Sequence, residues 1–191
     1  FIYGGVGLGK THLIQALGNS AKQKNKKINI WYINSERLIN DIVSSIREKT
    51  IDKIKDSYKK IDLLLIDDIQ FIANKEKTQE EVFHIFNALY ESNKQIVFTS
   101  DRLPKAIPGL EERLRSRFEG GMVADISLPN YETRVAIIKN KLKDKKASLP
   151  NEIIDYIAQN VTDNVREIEG ALNILLISFE VKKIDFSLDV T

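Results

Sequence analysis

The chain has 191 residues, 42% of them hydrophobic, and its 29 basic and 27 acidic side chains leave a net charge of +2. That apolar content supplies one good core, which can divide into a larger and a smaller domain, while the small charge gives no electrostatic case for nucleic acid by itself. No cysteine and only two histidines, His12 and His84, exclude disulfides and thiolate metal sites and leave little for a zinc site.

Phe1-Ile2-Tyr3 reads as the end of a strand, and Gly4-Gly5-Val6-Gly7-Leu8-Gly9-Lys10-Thr11 follows it, matching the phosphate-binding pattern G-x-x-x-x-G-K-[ST] without a mismatch. Glycines allow positive φ and close backbone approach, so successive N–H groups can point at phosphate oxygens. Lys10 then acts as a point charge on the β and γ phosphates. Thr11 puts its hydroxyl on a metal, and the helix that begins here, with His12, aims its positive end at the same anion. A nucleoside triphosphate with Mg²⁺ is the expected ligand. Because the pattern comes so early and the chain opens on Phe, the sequence reads as a fragment lacking the start of its first strand.

Apolar positions Leu13, Ile14, Ala16 and Leu17 predict a helix over 11–24. The β-branched and aromatic run at 28–33 predicts a buried strand, with Trp31 in the core. Ser35 is the expected cap of a helix carrying Leu38, Ile39, Ile42, Val43 and Ile46, and Ile51, Ile54, Tyr58 and Ile61 continue at helical spacing. Leu63-Leu64-Leu65-Ile66 is a fully apolar strand ending in Asp67-Asp68. Thr78-x-x-Glu81 reads as a capping box before an amphipathic helix with Val82, Phe83, Ile85, Phe86, Leu89 and Tyr90. A strand at 95–99, a short charged helix at 110–118 and a strand at 122–128 follow. His12 and His84 are given structural roles within their helices.

This alternation predicts an α/β fold of the P-loop type, a parallel sheet covered by helices on both faces, over residues 1–128. Everything after Leu128-Pro129-Asn130 is helical, over 131–145, 151–160 and 163–181, with Asn151 and Asp163 as caps of the last two. A small helical lid is therefore expected over 129–183, and Ile184-Asp185-Phe186 opens a linker-like segment at 184–191. The lysine clusters at 22–27 and 139–146 read as solvated helix ends. No apolar run approaches the roughly 20 residues of a membrane span and no signal peptide opens the chain, so it reads as cytosolic.

The carboxyl end of a parallel strand faces the crevice that holds a nucleotide, which makes Asp67 the candidate for the Mg²⁺ hydration shell and Asp68 the group that orients or deprotonates the attacking water. Asp68 is shorter than the Glu common at this position, which favours slow hydrolysis. Asp101 lies just past the strand at 95–99. Arg113 and Arg117 stand on the short helix and Arg166 near the start of the last one. An arginine reaching a phosphate from a neighbouring subunit can raise hydrolysis by about 10³ to 10⁵, whereas taken singly each of these is more often a surface ion-pair partner.

The assembled residues resemble an AAA+ ATPase, and within that class the bacterial replication-initiator family. The most specific stretches are residues 1–12, Leu-Leu-Ile-Asp-Asp-Ile-Gln-Phe at 64–71, residues 74–90, Thr99-Ser100-Asp101-Arg102, Arg-Leu-Arg-Ser-Arg-Phe at 113–118 and residues 164–173. The resemblance implies that Asp101 is sensor 1, Arg117 the arginine finger, Arg113 a second interface arginine and Arg166 sensor 2. It implies ATP and ADP as nucleotides, head-to-tail self-association of the ATP form on origin DNA, hydrolysis as the off-switch, and help in loading the replicative helicase through regions this chain lacks. Acidic phospholipids stay open as a further partner class. The helical segments at 36–60 fit the family's insertion, and Val43, Lys75, Lys77 and Thr78 would then face single-stranded DNA. Without the resemblance, Val43 reads as core and the two lysines as solvated. The alternatives are a helicase loader or initiator-regulating AAA+ relative, a P-loop small-molecule kinase, and a nucleotide-binding module without turnover. The sequences at 74–81 and 36–60 argue against the first. The position of the helical lid after the α/β domain argues against the second.

Overall fold

Leu63–Asp67 (β3) is buried along its whole length because both faces of the sheet are covered. Successive side chains of a strand point to opposite faces. Leu64 and Ile66 enter a core built with Leu38, Ile42, Ile85 and Leu89, whereas Leu63 and Leu65 meet Ile14 and Val97 on the other side. The computed structural model describes residues 1–182. The chain divides into two compact units, one of Phe1–Gly4 with Lys10–Ile126 and the other of Gly5–Gly9 with the chain from Ser127 onward.

In the first unit β1 (Ile2–Gly4), β2 (Ile30–Asn34), β3, β4 (Gln95–Ser100) and β5 (Ala124–Ile126) form one sheet in the order β2-β3-β4-β1-β5, every pair parallel. The helices are α1 (Lys10–Lys24), α2 (Ser35–Arg47), α3 (Ile51–Lys59), α4 (Glu76–Glu91) and α5 (Glu112–Glu119), with a 3-10 turn at Ile69–Ile72. In the second unit α6 (Tyr131–Asp144), α7 (Asn151–Asn160) and α8 (Val165–Lys182) close their own core around Ile138, Leu142, Ile153, Ile157, Ile168 and Leu172. The Arg134 guanidinium donates to the carbonyls of Ala158 and Pro129, both at 2.7 Å, and so ties α6 to α7 and to the chain before it. No helix among the described residues is long and apolar enough to cross a membrane.

Several local expectations are corrected. β2 is an edge strand, so Trp31 is not core: it stays 39% exposed and packs edge-on against Tyr58 at 5.5 Å. The last strand is only Ala124–Ile126, since β5 has just the short β1 to pair with. Ser35 does not cap α2. Asn34 does, accepting the Arg37 N–H at 2.9 Å, and the buried Ser35 hydroxyl donates to the Asp67 carbonyl at 2.9 Å. The capping box at Thr78 is absent because Asn74, at φ 59°, turns the chain into α4 two residues earlier, which puts Thr78 inside the first turn. Asn151 is already helical, and α8 is capped by Asn164, whose side chain accepts the Glu167 N–H at 3.0 Å while donating to the Glu167 carboxylate at 2.8 Å. His12 and His84 are both exposed, and neither packs into the core. The linker-like segment at 184–191 lies outside the described residues.

Candidate nucleotide-binding site

Gly4 ends β1 opposite Ile126 of β5, and a Cβ there would stand 2.5 Å from the Ile126 carbonyl, so only glycine closes this register. Gly7 and Gly9 hold φ of 76° and 88°, the left-handed region that other residues avoid. Within the second unit, the Val165 N–H donates to the Gly7 carbonyl at 3.1 Å. Gly5 is exposed and Leu8 half-buried. Lys10 is buried, with its ammonium donating to the Gly4 carbonyl at 2.8 Å.

Three hydroxyls converge on the buried Asp67 carboxylate. Thr11 donates to Oδ2 at 2.8 Å, Tyr32 donates to Oδ2 at 2.9 Å, and Thr99 of β4 donates to Oδ1. Burial, and then the hydrogen bond to Asp67, push the Tyr32 phenol up. The Thr99 oxygen also accepts the Asp68 N–H at 2.9 Å, so one fully buried hydroxyl links both carboxylate residues. Asp68 itself adopts φ 55°, ψ 52°. A left-handed aspartate carries a local cost that persists where surrounding contacts over-determine it. Here those contacts are Thr99 and the Gln70 amide, which donates to Asp68 Oδ1 at 3.1 Å. Thr99 and Tyr32 were not read as site residues in the sequence. The signal for Thr99 was its place at the end of a strand beside β3. Tyr32 gave none beyond its alternation with Ile33.

Asp101 follows β4 and is gripped by the Arg102 fork, with Nε to Oδ1 at 2.8 Å and Nη2 to Oδ2 at 2.7 Å. That hydrogen bonding holds the Asp101 carboxyl below the usual carboxylate range; burial opposes it, and the Arg102 and Lys10 charges add to it. A carboxylate depressed in the folded state stabilises the fold above its unfolded pKa, and that contribution is lost as pH falls through the depressed folded value. Arg102→Gln should therefore lower stability only slightly at pH 7, because half-exposed pairs are screened by solvent. The cost should vanish in strong acid, as read from denaturant midpoints between pH 7 and pH 2.

The candidate arginines sit on two different units. Arg113 and Arg117 lie on α5, where Arg113 Nε donates to Glu111 at 2.6 Å and its guanidinium stands 5.0 Å from the Phe83 ring. Arg166 is exposed on α8, in the second unit. Of the residues assigned to single-stranded DNA, Val43 is 43% exposed rather than core, and Lys75 and Lys77 are exposed. Thr78, assigned to the same surface, is only 3% exposed within the first turn of α4.

A parallel sheet in this strand order, a glycine loop that leads into Lys10 and Thr11, paired aspartates at the end of β3 and a following helical unit define a P-loop ATPase of the AAA+ class. The family model described as the bacterial DnaA ATPase domain matches residues 1–125. The chain belongs to this family. The chromosomal replication initiator protein DnaA of Geotalea daltonii is 58% identical over 172 residues, covering 90% of this chain and 39% of that protein. That of Caldanaerobacter subterraneus is 52% identical over 191 residues, covering 100% of this chain and 43% of that protein. The chain thus spans about two fifths of the length of these curated relatives. Domain III of the Thermotoga maritima replication initiation protein DnaA superposes with a TM-score of 0.94 at 44% identity, over 99% of this chain and 79% of that one. A replication initiator DnaA bound to AMPPCP and single-stranded DNA superposes with a TM-score of 0.83 at 45% identity, over 96% of this chain and 57% of that one.

Proposed function

We propose that this chain is the nucleotide-switched assembly part of a bacterial chromosomal replication initiator: it binds ATP or ADP, self-associates head to tail in the ATP form, and holds single-stranded DNA at an opened origin. The observation that carries this is the convergence of Lys10, Thr11, Asp67, Asp68 and Asp101 at the carboxyl ends of neighbouring parallel strands, in a family one of whose solved members holds a triphosphate analogue and single-stranded DNA. The division into an α/β nucleotide domain and a helical lid belongs to the same reading.

The Thr11 hydroxyl and the Asp67 carboxylate, 2.8 Å apart, are the hard oxygen donors that Mg²⁺ takes. An ion that arrives with the nucleotide would be held there and would neutralise its phosphate charge. Asp68 orients the attacking water and Asp101 senses the γ-phosphate. Arg117 and Arg113 reach the triphosphate of a neighbouring copy, and Arg166 serves as the lid's phosphate sensor. The shorter Asp68 makes turnover slow, so hydrolysis acts as an off-switch. Val43, Lys75 and Lys77 line the single-strand surface, the lysines on phosphates and the valine on sugar or base. In the whole protein, a cytoplasmic initiator, the replicative helicase and acidic phospholipids are further partners.

Sedimentation with ATP, ADP or no nucleotide, each with and without a single-stranded oligonucleotide, tests this reading. Assembly on the strand with ATP alone, abolished by Arg117→Ala with nucleotide affinity intact, is the expected result. A chain that binds nucleotide tightly yet stays monomeric in every condition would leave only a nucleotide module.

A further inference from the structure

Arg102, Arg113 and Arg115 are each held by a carboxylate, and Arg134 by two carbonyls. Arg117 is surrounded differently. Among the described residues it has no ion-pair or side-chain hydrogen-bond partner, and its guanidinium carbon lies 5.8 Å from the Phe83 ring centroid, 6.0 Å from Phe86 and 5.9 Å from Tyr90. The three rings stand at i, i+3 and i+7 on α4, one face of a helix, and Phe86 and Tyr90 stack at 5.8 Å with 14° between their planes. The facing helix is fixed by Gln79, whose amide donates to the Gly109 carbonyl at 2.9 Å and accepts the Glu111 N–H at 2.7 Å, pinning the start of α5 to the first turn of α4.

A ring face attracts a cation through its quadrupole and consumes none of its in-plane N–H donors. An arginine tied to a carboxylate must break a charge-assisted hydrogen bond before it meets a phosphate, and one loose in water must lose the rotamer freedom of a long side chain. Arg117 on its three rings does neither. We propose that Phe83, Phe86 and Tyr90 form a positioning cradle that presents the Arg117 fork, with its donors open, to a phosphate bound by a second copy of this chain. This rests on the reading of Arg117 as the residue that crosses to a neighbour's triphosphate.

Tyr90 is 62% exposed, so it can be changed without opening the core. Tyr90→Leu should raise the midpoint concentration of ATP-dependent assembly about two- to fivefold, the range for an exposed cation–π contact. Tyr90→Phe and Tyr90→Trp, which keep a ring face, should stay within about twofold of the parent, and nucleotide affinity of the dilute protomer should not move in any of them. In an Arg117→Ala background Tyr90→Leu should add nothing. Phe83→Leu, checked for an unchanged melting temperature, is a second cradle variant that should shift the midpoint in the same direction. If Arg117→Ala leaves assembly unchanged, the interface reading fails. If Arg117→Ala abolishes assembly while Tyr90→Leu and Phe83→Leu leave its midpoint in place, or if Tyr90→Phe is as damaging as Tyr90→Leu, the cradle is overturned and the interface reading stands.

Discussion

Lys10→Ala should lower the affinity for both ATP and ADP by roughly 10² to 10³, the effect of truncating one member of a buried charge pair that costs about 3–4 kcal/mol. Lys10 is buried at the head of α1 and its ammonium is donated to the Gly4 carbonyl at 2.8 Å, so the side chain is fixed before any phosphate arrives. Little rotamer entropy then remains to be lost on binding, which makes this lysine more effective than a solvated one. The fold should tolerate the change, because the Gly4 backbone stays in register with Ile126 and the cores do not include Lys10. Titration of a fluorescent ATP and ADP into parent and variant, beside a thermal melt, reads both effects. Equal affinities would remove the nucleotide assignment altogether.

The second large effect is expected at Thr99. Thr99→Val keeps shape and volume but removes the hydroxyl that donates to Asp67 and accepts the Asp68 N–H at 2.9 Å. A buried N–H left without a partner costs about 1–3 kcal/mol, and the carboxylate loses one of its three hydroxyl donors as well. Together these should destabilise the chain by roughly 2–4 kcal/mol and lower its melting temperature by about 5–15 °C. Hydrolysis should fall at least tenfold, since Asp68 loses the contact that holds its left-handed backbone, while nucleotide affinity changes by only about threefold. Thr99→Ser, which retains the hydroxyl, should recover most of both. A Thr99→Val variant with the parent's hydrolysis rate and melting temperature would show that the shared hydroxyl does not position the second aspartate.

What could be read in the sequence divides along physical lines. The glycine loop, Lys10-Thr11 and Asp67-Asp68 were legible because their chemistry demands particular residue types at fixed spacing. The doubly covered sheet was legible because Leu63 to Ile66 of β3 are all apolar, which a half-exposed strand cannot be. Trp31 was misread because composition does not say which strand is at the edge; that is set by the order β2-β3-β4-β1-β5. Two helix caps were misplaced by one residue, at Asn34 rather than Ser35 and at Asn164 rather than Asp163, because neighbouring polar residues compete for the same capping role. Thr99 and Tyr32 escaped because a hydroxyl far along the chain reaches Asp67 only after strands pair. The burial of Thr78 followed from a turn at Asn74 that periodicity does not encode.

The position of β1 in the sheet has a consequence for biosynthesis. Ile2 pairs with Thr99 on one side and Ala124 on the other, so this strand leaves the ribosome before either partner and waits for both. At roughly 5–20 residues per second, the wait lasts on the order of 10 s. During it β2 and β3 can already pair, Ile30 to Leu63 onward, and the apolar β1 has no sheet to join. The nucleotide loop that β1 leads into is therefore late to acquire its shape although it precedes the partner strands in the chain, and a nascent chain should gain nucleotide binding only after residue 126 has cleared the exit tunnel.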